Sequence, residues 1–112
     1  MRAEKLAQIS RALGADVRVR ILELLKAHAL CVGALSARLD VTQGAVSQHL
    51  RILREAGLVS AEKRGTYVHY ELNREALSEF EAAVAALSAA PKRKGAMRCV
   101  MKRRRAARSR KS

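Results

Sequence analysis

The sequence predicts a mainly α-helical fold carrying one small antiparallel β-hairpin: four helices, a strand pair, then a fifth helix. Three observations predict it. Apolar residues make up 49% of the 112-residue chain but aromatics only 3%, and the apolar share is mostly Ala, Leu and Val, a composition that favours helices. Through most of the chain apolar positions recur at spacings of three and four, the period of a helix with one buried face. The exception is residues 58–72, where apolar and polar residues alternate around Arg64-Gly65, the pattern of a hairpin.

Each element has its own signals. Residues 3–13 form the first helix, with Leu6, Ile9 and Leu13 at i, i+3 and i+7, and Gly14 stops it. The second spans 17–27, capped by Asp16 or by the residue before it. Val17, Ile21, Leu24 and Leu25 give its buried side, Arg18 and Arg20 its wet side. Residues 28–30 are a connector, and 33–39 a short third helix with Ala34, Leu35 and Leu39 inward. After the turn 40–42 the fourth helix starts at Thr42, a good N-cap, and ends at Gly57, a good C′ residue. Strands 58–63 and 66–72 flank the turn Arg64-Gly65, with Val68, Tyr70 and Leu72 inward and Tyr67, His69 and Glu71 outward. Asn73 caps a fifth helix over 74–89, where Leu77, Phe80, Val84 and Leu87 make a coiled-coil-like seam among small alanines. That seam either packs on its own domain or, with the first helix, forms a dimer surface; the second reading is preferred because the third and fourth helices already fill one side of a small core. Pro91 closes the folded part, so 1–90 reads as one domain and 91–112 as a flexible basic tail.

Charge is concentrated in that tail. Residues 91–112 carry 11 of the 23 Lys+Arg and no acid, leaving 12 basic against 10 acidic residues in 1–90. Almost all of the net charge of +13 is therefore a polybasic extension, which gains affinity for any polyphosphate by counterion release and would also favour an anionic membrane surface. No apolar run approaches the roughly 20 residues of a membrane span, and the N-terminus lacks a signal-peptide apolar core. Two cysteines do not make a disulfide scaffold. The expected setting is soluble, reducing and cytoplasmic.

The fourth helix carries the functional pattern. Stepping 100° per residue, Val46, Leu50 and Leu53 cluster within about 60° and face the core, whereas Ser47, Arg51, Gly44 and Gln48 fall between about 100° and 200° from Val46. Gln43 and His49 flank the boundary. This outer face offers a hydroxyl, an amide, a guanidinium and, at Gly44, bare backbone. Gln can bond adenine and Arg guanine in bidentate fashion, and a helix start suits a phosphate. The third helix, turn and fourth helix have helix-turn-helix spacing. The hairpin beside them has the basic tip Lys63-Arg64-Gly65-Thr66, able to grip flanking backbone or minor groove as a wing. The fold class is thus a winged helix-turn-helix, and the partner it suits is double-stranded DNA.

The run VGALSARLDVTQGAVSQHLRILREAGLVSAEKRGTYVHYEL closely resembles the ArsR/SmtB family of winged helix-turn-helix regulators. The resemblance covers about residues 3–88 and is strongest at VSQHLRILREAGLV, followed by KRGTYVHYEL. It implies a homodimer formed through the first and last helices that represses transcription at an operator until an inducer releases it. It also implies DNA contacts at Gln43, Ser47, Gln48, His49 and Arg51 in the helix and at Arg64 and Thr66 in the wing; Thr42 and Gly44 join these candidates from their own place at the helix start.

The family's sensing sites are incomplete. Arsenic- and lead-type members carry Cys-Val-Cys at the start of the third helix and a further Cys three residues on. This chain has Cys31-Val32-Gly33 and then Ser36, so one thiol of three survives, too few for As(III) or Zn²⁺. The fifth helix has none of the histidines that zinc-type members use. Two readings stand for Cys31, at a helix start, and Cys99, among Lys94, Arg98 and Lys102. They form a thiol switch answering As(III), another soft metal or a redox signal, or Cys31 is a small filler and Cys99 an incidental tail residue. No resident cofactor is expected.

An enzyme is not expected, since the chain has no glycine-rich phosphate loop, no Ser/His/Asp or Cys/His signature and no paired carboxylates in a credible pocket. The alternative to an operator-specific regulator is a general nucleic-acid binder driven by the tail and lacking an inducer. A purely electrostatic binder would not need the structured polar face over 43–51.

Overall fold

Five helices and three short strands form in the order α1 (Ala3–Ala12), α2 (Asp16–Leu25), β1 (Leu30–Cys31), α3 (Val32–Leu39), α4 (Gln43–Glu55), β2 (Val59–Arg64), β3 (Tyr67–Leu72) and α5 (Arg74–Leu87). They lie within residues 1–91, those that the computed structural model describes. The tail beyond them, with Cys99, lies outside the described residues.

Local chemistry explains most boundaries. Ala15, not Asp16, is the N-cap of α2 and makes no side-chain cap bond. Asp16 is the first helical residue, where a carboxylate meets the positive end of the helix dipole. The α3–α4 turn is sharpened by Asp40, whose φ is +57°, a left-handed conformation that Asp tolerates better than most residues. The Asp40 N–H donates to Ser36 O at 2.9 Å, and the Ser36 hydroxyl donates to Val41 O. Thr42 then caps α4, accepting from the Ala45 N–H at 3.1 Å. At the far end Gly57 has φ +81°. Its N–H reaches Arg54 O and that of Leu58 reaches Leu53 O, both at 2.9 Å, the paired bonds of a Schellman motif.

The core is assembled from nearly every element before the wing. Ile9 and Ala12 of α1, Ile21, Leu22 and Leu25 of α2, Leu35 and Leu39 of α3, and Val46, Leu50 and Leu53 of α4 are buried, together with Ala56, Leu58 and Val59. At about 1.5–3 kcal/mol for each large apolar side chain buried, this cluster holds α4 against the body by its Val46–Leu50–Leu53 face. That leaves the opposite face of α4 in water.

The fifth helix behaves differently from a core helix. It has no fully buried residue. Leu77 and Phe80 lean against the core, but Val84 is 43% and Leu87 75% exposed. The seam divides, half closing its own domain and half left open. Asn73 ties its start to the end of α4: its side chain caps Ala76 N–H at 3.1 Å and donates to Gly57 O at 2.9 Å.

Three features of the sheet depart from the expected hairpin. The strands run antiparallel in the order β1-β3-β2, so a third strand, Leu30–Cys31, pairs with Tyr70 and His69 where a plain connector was expected. A two-residue strand is too short to show alternation, and its partner lies about 40 residues on. The turn is Gly65-Thr66 rather than Arg64-Gly65, because Arg64 pairs with Tyr67. Tight two-residue hairpin turns require a positive φ at their first central residue; Gly65 takes it at +63°, whereas Arg64 in that place would be strained. Finally Val68, expected inward, is 39% exposed, since the outer half of the hairpin projects past the helices and has no core to face.

Candidate nucleic-acid interface

The amphipathic pattern of α4 places its polar side outward. Thr42, Gln43, Gly44, Ser47, Gln48 and Arg51 are all exposed. Among the described residues nothing lies within 4 Å of where a Cβ on Gly44 would sit, so they leave the helix start sterically open where its free N–H groups point outward. A Cβ on Gly33 would lie 3.9 Å from Gln43 Nε2, which places the Gln43 amide over the start of α3, at the junction of the two helices. The Arg51 side chain, 72% exposed, lies 3.5 Å from Glu55 one turn on. Such an exposed pair contributes at most a few tenths of a kcal/mol, so the guanidinium can leave it readily.

His49 stands apart from these residues. It is half-buried, and its Nδ1 lies 3.1 Å from Arg18 Nη1. Arg18 belongs to α2 and was expected on that helix's solvated side. It is instead half-buried, because its guanidinium also donates from Nε to Ala12 O at 2.7 Å and from Nη2 to Arg11 O at 3.4 Å. Both carbonyls lie in the last turn of α1, and that of Arg11 also accepts from Gly14 N–H at 3.0 Å. Two further side chains of α1 reach the end of α4: Lys5 Nζ donates to Ala56 O at 3.0 Å and Gln8 Nε2 to Glu55 O at 3.2 Å. No periodicity announces such bridges, which join segments up to 51 residues apart.

At the wing tip Lys63, Arg64, Gly65, Thr66 and Tyr67 are exposed. Arg64 Nη2 lies 3.3 Å from Glu62 and 3.2 Å from Glu71. The turn register produces this sharing, since Glu62 precedes Arg64 by two residues on β2 and Glu71 lies on the adjacent β3. Lys63 and Thr66 make no such pair among the described residues.

Cys31 is the N-cap of α3 and makes no side-chain cap bond. It is half-buried and opposite His69 across the β1–β3 pair, with Glu62 opposite His69 on the other side. Crowded between two neighbouring strands, His69 has a buried Nδ1 with no hydrogen-bond partner among the described residues. Ser36, where arsenic-type members have a thiol, serves the α3–α4 turn instead. Among the described residues no group of three His, Cys, Asp or Glu side chains is placed to hold a metal ion. Between α1 and α5 an open apolar hollow of about 500 Å³ is lined by Leu6, Ala7, Ser10, Val84 and Leu87, among others.

Comparison with known proteins agrees with this geometry. The sequence profile described as "Bacterial regulatory protein, arsR family" matches residues 15–61. The chain is 45% identical over 65 residues to the HTH-type transcriptional repressor SmtB of Mycobacterium tuberculosis, covering 58% of this chain and 48% of that protein. It is 39% identical over 72 residues to the arsenical resistance operon repressor of Bacillus subtilis, covering 63% and 69%. Among solved structures, the homodimeric winged helix-turn-helix DNA-binding domain Mb0332 from Mycobacterium bovis superposes with a TM-score of 0.65 at 25% identity, over 75% of this chain and 79% of that one. The chain thus spans about half the length of the first of these relatives.

Proposed function

The chain belongs to the ArsR family of bacterial regulatory proteins, and from that membership we propose that it is a sequence-specific, homodimeric DNA-binding repressor that a chemical signal releases from its operator. The observation that carries the reading is the exposed set Gln43, Ser47, Gln48 and Arg51 on a helix whose other face is locked into the core. A rigid helix presenting an amide, a hydroxyl and a guanidinium is what reading base edges in the major groove requires. His49, Thr42, Gly44 and the wing residues Arg64 and Thr66 add contacts to the flanking backbone. The open hollow between α1 and α5, with Val84 and Leu87 exposed beside it, supports dimerisation through those helices. The role is regulatory rather than enzymatic. No helix among the described residues is long and apolar enough to cross a membrane, and a cytoplasmic site of action follows from the DNA partner. The basic tail adds phosphate contacts that are blind to sequence. Cys31 and Cys99 supply the thiols through which a soft metal, As(III) or an oxidant acts.

The test is competition binding. A palindromic fragment from a promoter that the protein occupies is expected to outcompete random duplex by about a thousandfold at physiological salt. Equal binding to both at two salt concentrations would replace the repressor reading with a general polyanion binder.

The wing supplies a second expected outcome. Glu71 competes with DNA phosphate for Arg64 and itself repels the duplex. Glu71→Gln is expected to raise DNA affinity several-fold and to steepen its salt dependence by about one phosphate equivalent. Titrations over a salt series would measure both; an unchanged slope would remove Arg64 from the interface.

A further inference from the structure

We propose that Arg18 is a positioning residue for DNA recognition, one that fixes the reading helix α4 to α1 and holds His49 as its Nε2–H tautomer. The inference rests on the dimeric repressor reading above and adds how the two reading helices are held at a set distance.

A guanidinium has only donors. With Arg18 Nη1 at 3.1 Å from His49 Nδ1, that nitrogen must accept, so the ring hydrogen of neutral His49 sits on Nε2. Arg18 therefore determines which nitrogen of His49 remains a donor, beside Gln48 at the edge of the outer face. The same guanidinium closes the carbonyl end of α1 through Ala12 O at 2.7 Å and Arg11 O at 3.4 Å. Lys5 and Gln8 of α1 hold the other end of α4, at Ala56 O and Glu55 O. The reading helix is thus tied to α1 at its middle and at its C-terminus by directional, mostly charge-assisted bonds. If two copies join through α1 and α5, these ties set the distance between the two probes and hence the half-site spacing that the dimer accepts.

Arg18→Lys separates this role from charge, because one ammonium nitrogen cannot occupy three divergent donor positions. The full-length variant is expected to remain dimeric by sedimentation. It should lose about tenfold in affinity for the operator, the size expected for a charged hydrogen bond, and bind operators with one base pair inserted or removed between half-sites almost as well as the natural one. Long-range ¹⁵N correlation spectra of His49 should show the Nε2–H form alone in the wild type and mixed tautomers in the variant. His49→Asn, whose side-chain oxygen can replace Nδ1 as acceptor, should keep the spacing preference, and His49→Leu should lose it. A wild-type His49 carrying its hydrogen on Nδ1, or an Arg18→Lys protein with the wild-type spacing preference, would overturn the proposal. A wild type that itself lacks spacing preference would instead overturn the dimeric reading, and the tautomer spectra would still decide the role of Arg18.

Discussion

Replacing Gln48 and Arg51 together by alanine is expected to reduce operator affinity by two orders of magnitude or more, with each well-placed bidentate base contact contributing about 1–3 kcal/mol of discrimination. The fold should survive. Both side chains are exposed, and among the described residues the only ion pair lost is the surface pair of Arg51 with Glu55, which contributes little. Alanine is also a better helix former than either residue it replaces. Fluorescence anisotropy on operator and on random duplex separates the two components of binding. The loss should fall mainly on the operator, because the tail and wing cations retain the sequence-blind part. An equal loss on both duplexes would make Arg51 a phosphate contact only and Gln48 a bystander. Wild-type affinity for the operator would exclude this face of α4 from recognition.

The second large effect is expected from Val84→Glu/Leu87→Glu. In a single chain these side chains are 43% and 75% exposed, so a carboxylate there costs the isolated fold little. In a dimer closed through α1 and α5 the two carboxylates would be buried against their counterparts, and desolvating charges without partners costs several kcal/mol per ion. The protein should sediment as a folded monomer. Operator affinity should fall by about 10² to 10⁴, the advantage that linking two half-site contacts confers. A persistent dimer would place the subunit contact elsewhere, for example on the Leu77–Phe80 side of α5. A monomer that keeps full operator affinity would mean that one copy suffices for recognition.

How much of this was legible in the chain depends on the distance over which each signal acts. The core face of α4 followed from spacing alone, because a helix converts sequence separation into direction, and Val46, Leu50 and Leu53 are buried as expected. Thr42 and Gly57 bound that helix as their chemistry implies. The hairpin turn lies one residue beyond the expected Arg64-Gly65, because the positive φ is needed at its first central position and Gly65 supplies it. The half-open seam of α5 was ambiguous for a different reason. An apolar stripe reports that something covers it and is silent about whether that partner is its own domain. The folded chain divides the stripe, with Leu77 and Phe80 turned inward and Val84 and Leu87 left outside.

From its amino acids alone, the chain settled where its helices lie to within about two residues at each end, which side of α4 faces water, and that a short hairpin follows it. Hydrophobic periodicity, capping and turn chemistry all act within a few residues, and such information survives in a one-dimensional string. Tertiary structure alone decided that Arg18 leaves the solvent to bridge α1 and His49, that Glu62 and Glu71 share Arg64, and that Leu30–Cys31 becomes a third strand against His69. Those contacts join side chains and strands that only folding brings within 3–5 Å of one another, where a hydrogen bond or a strand pairing can form.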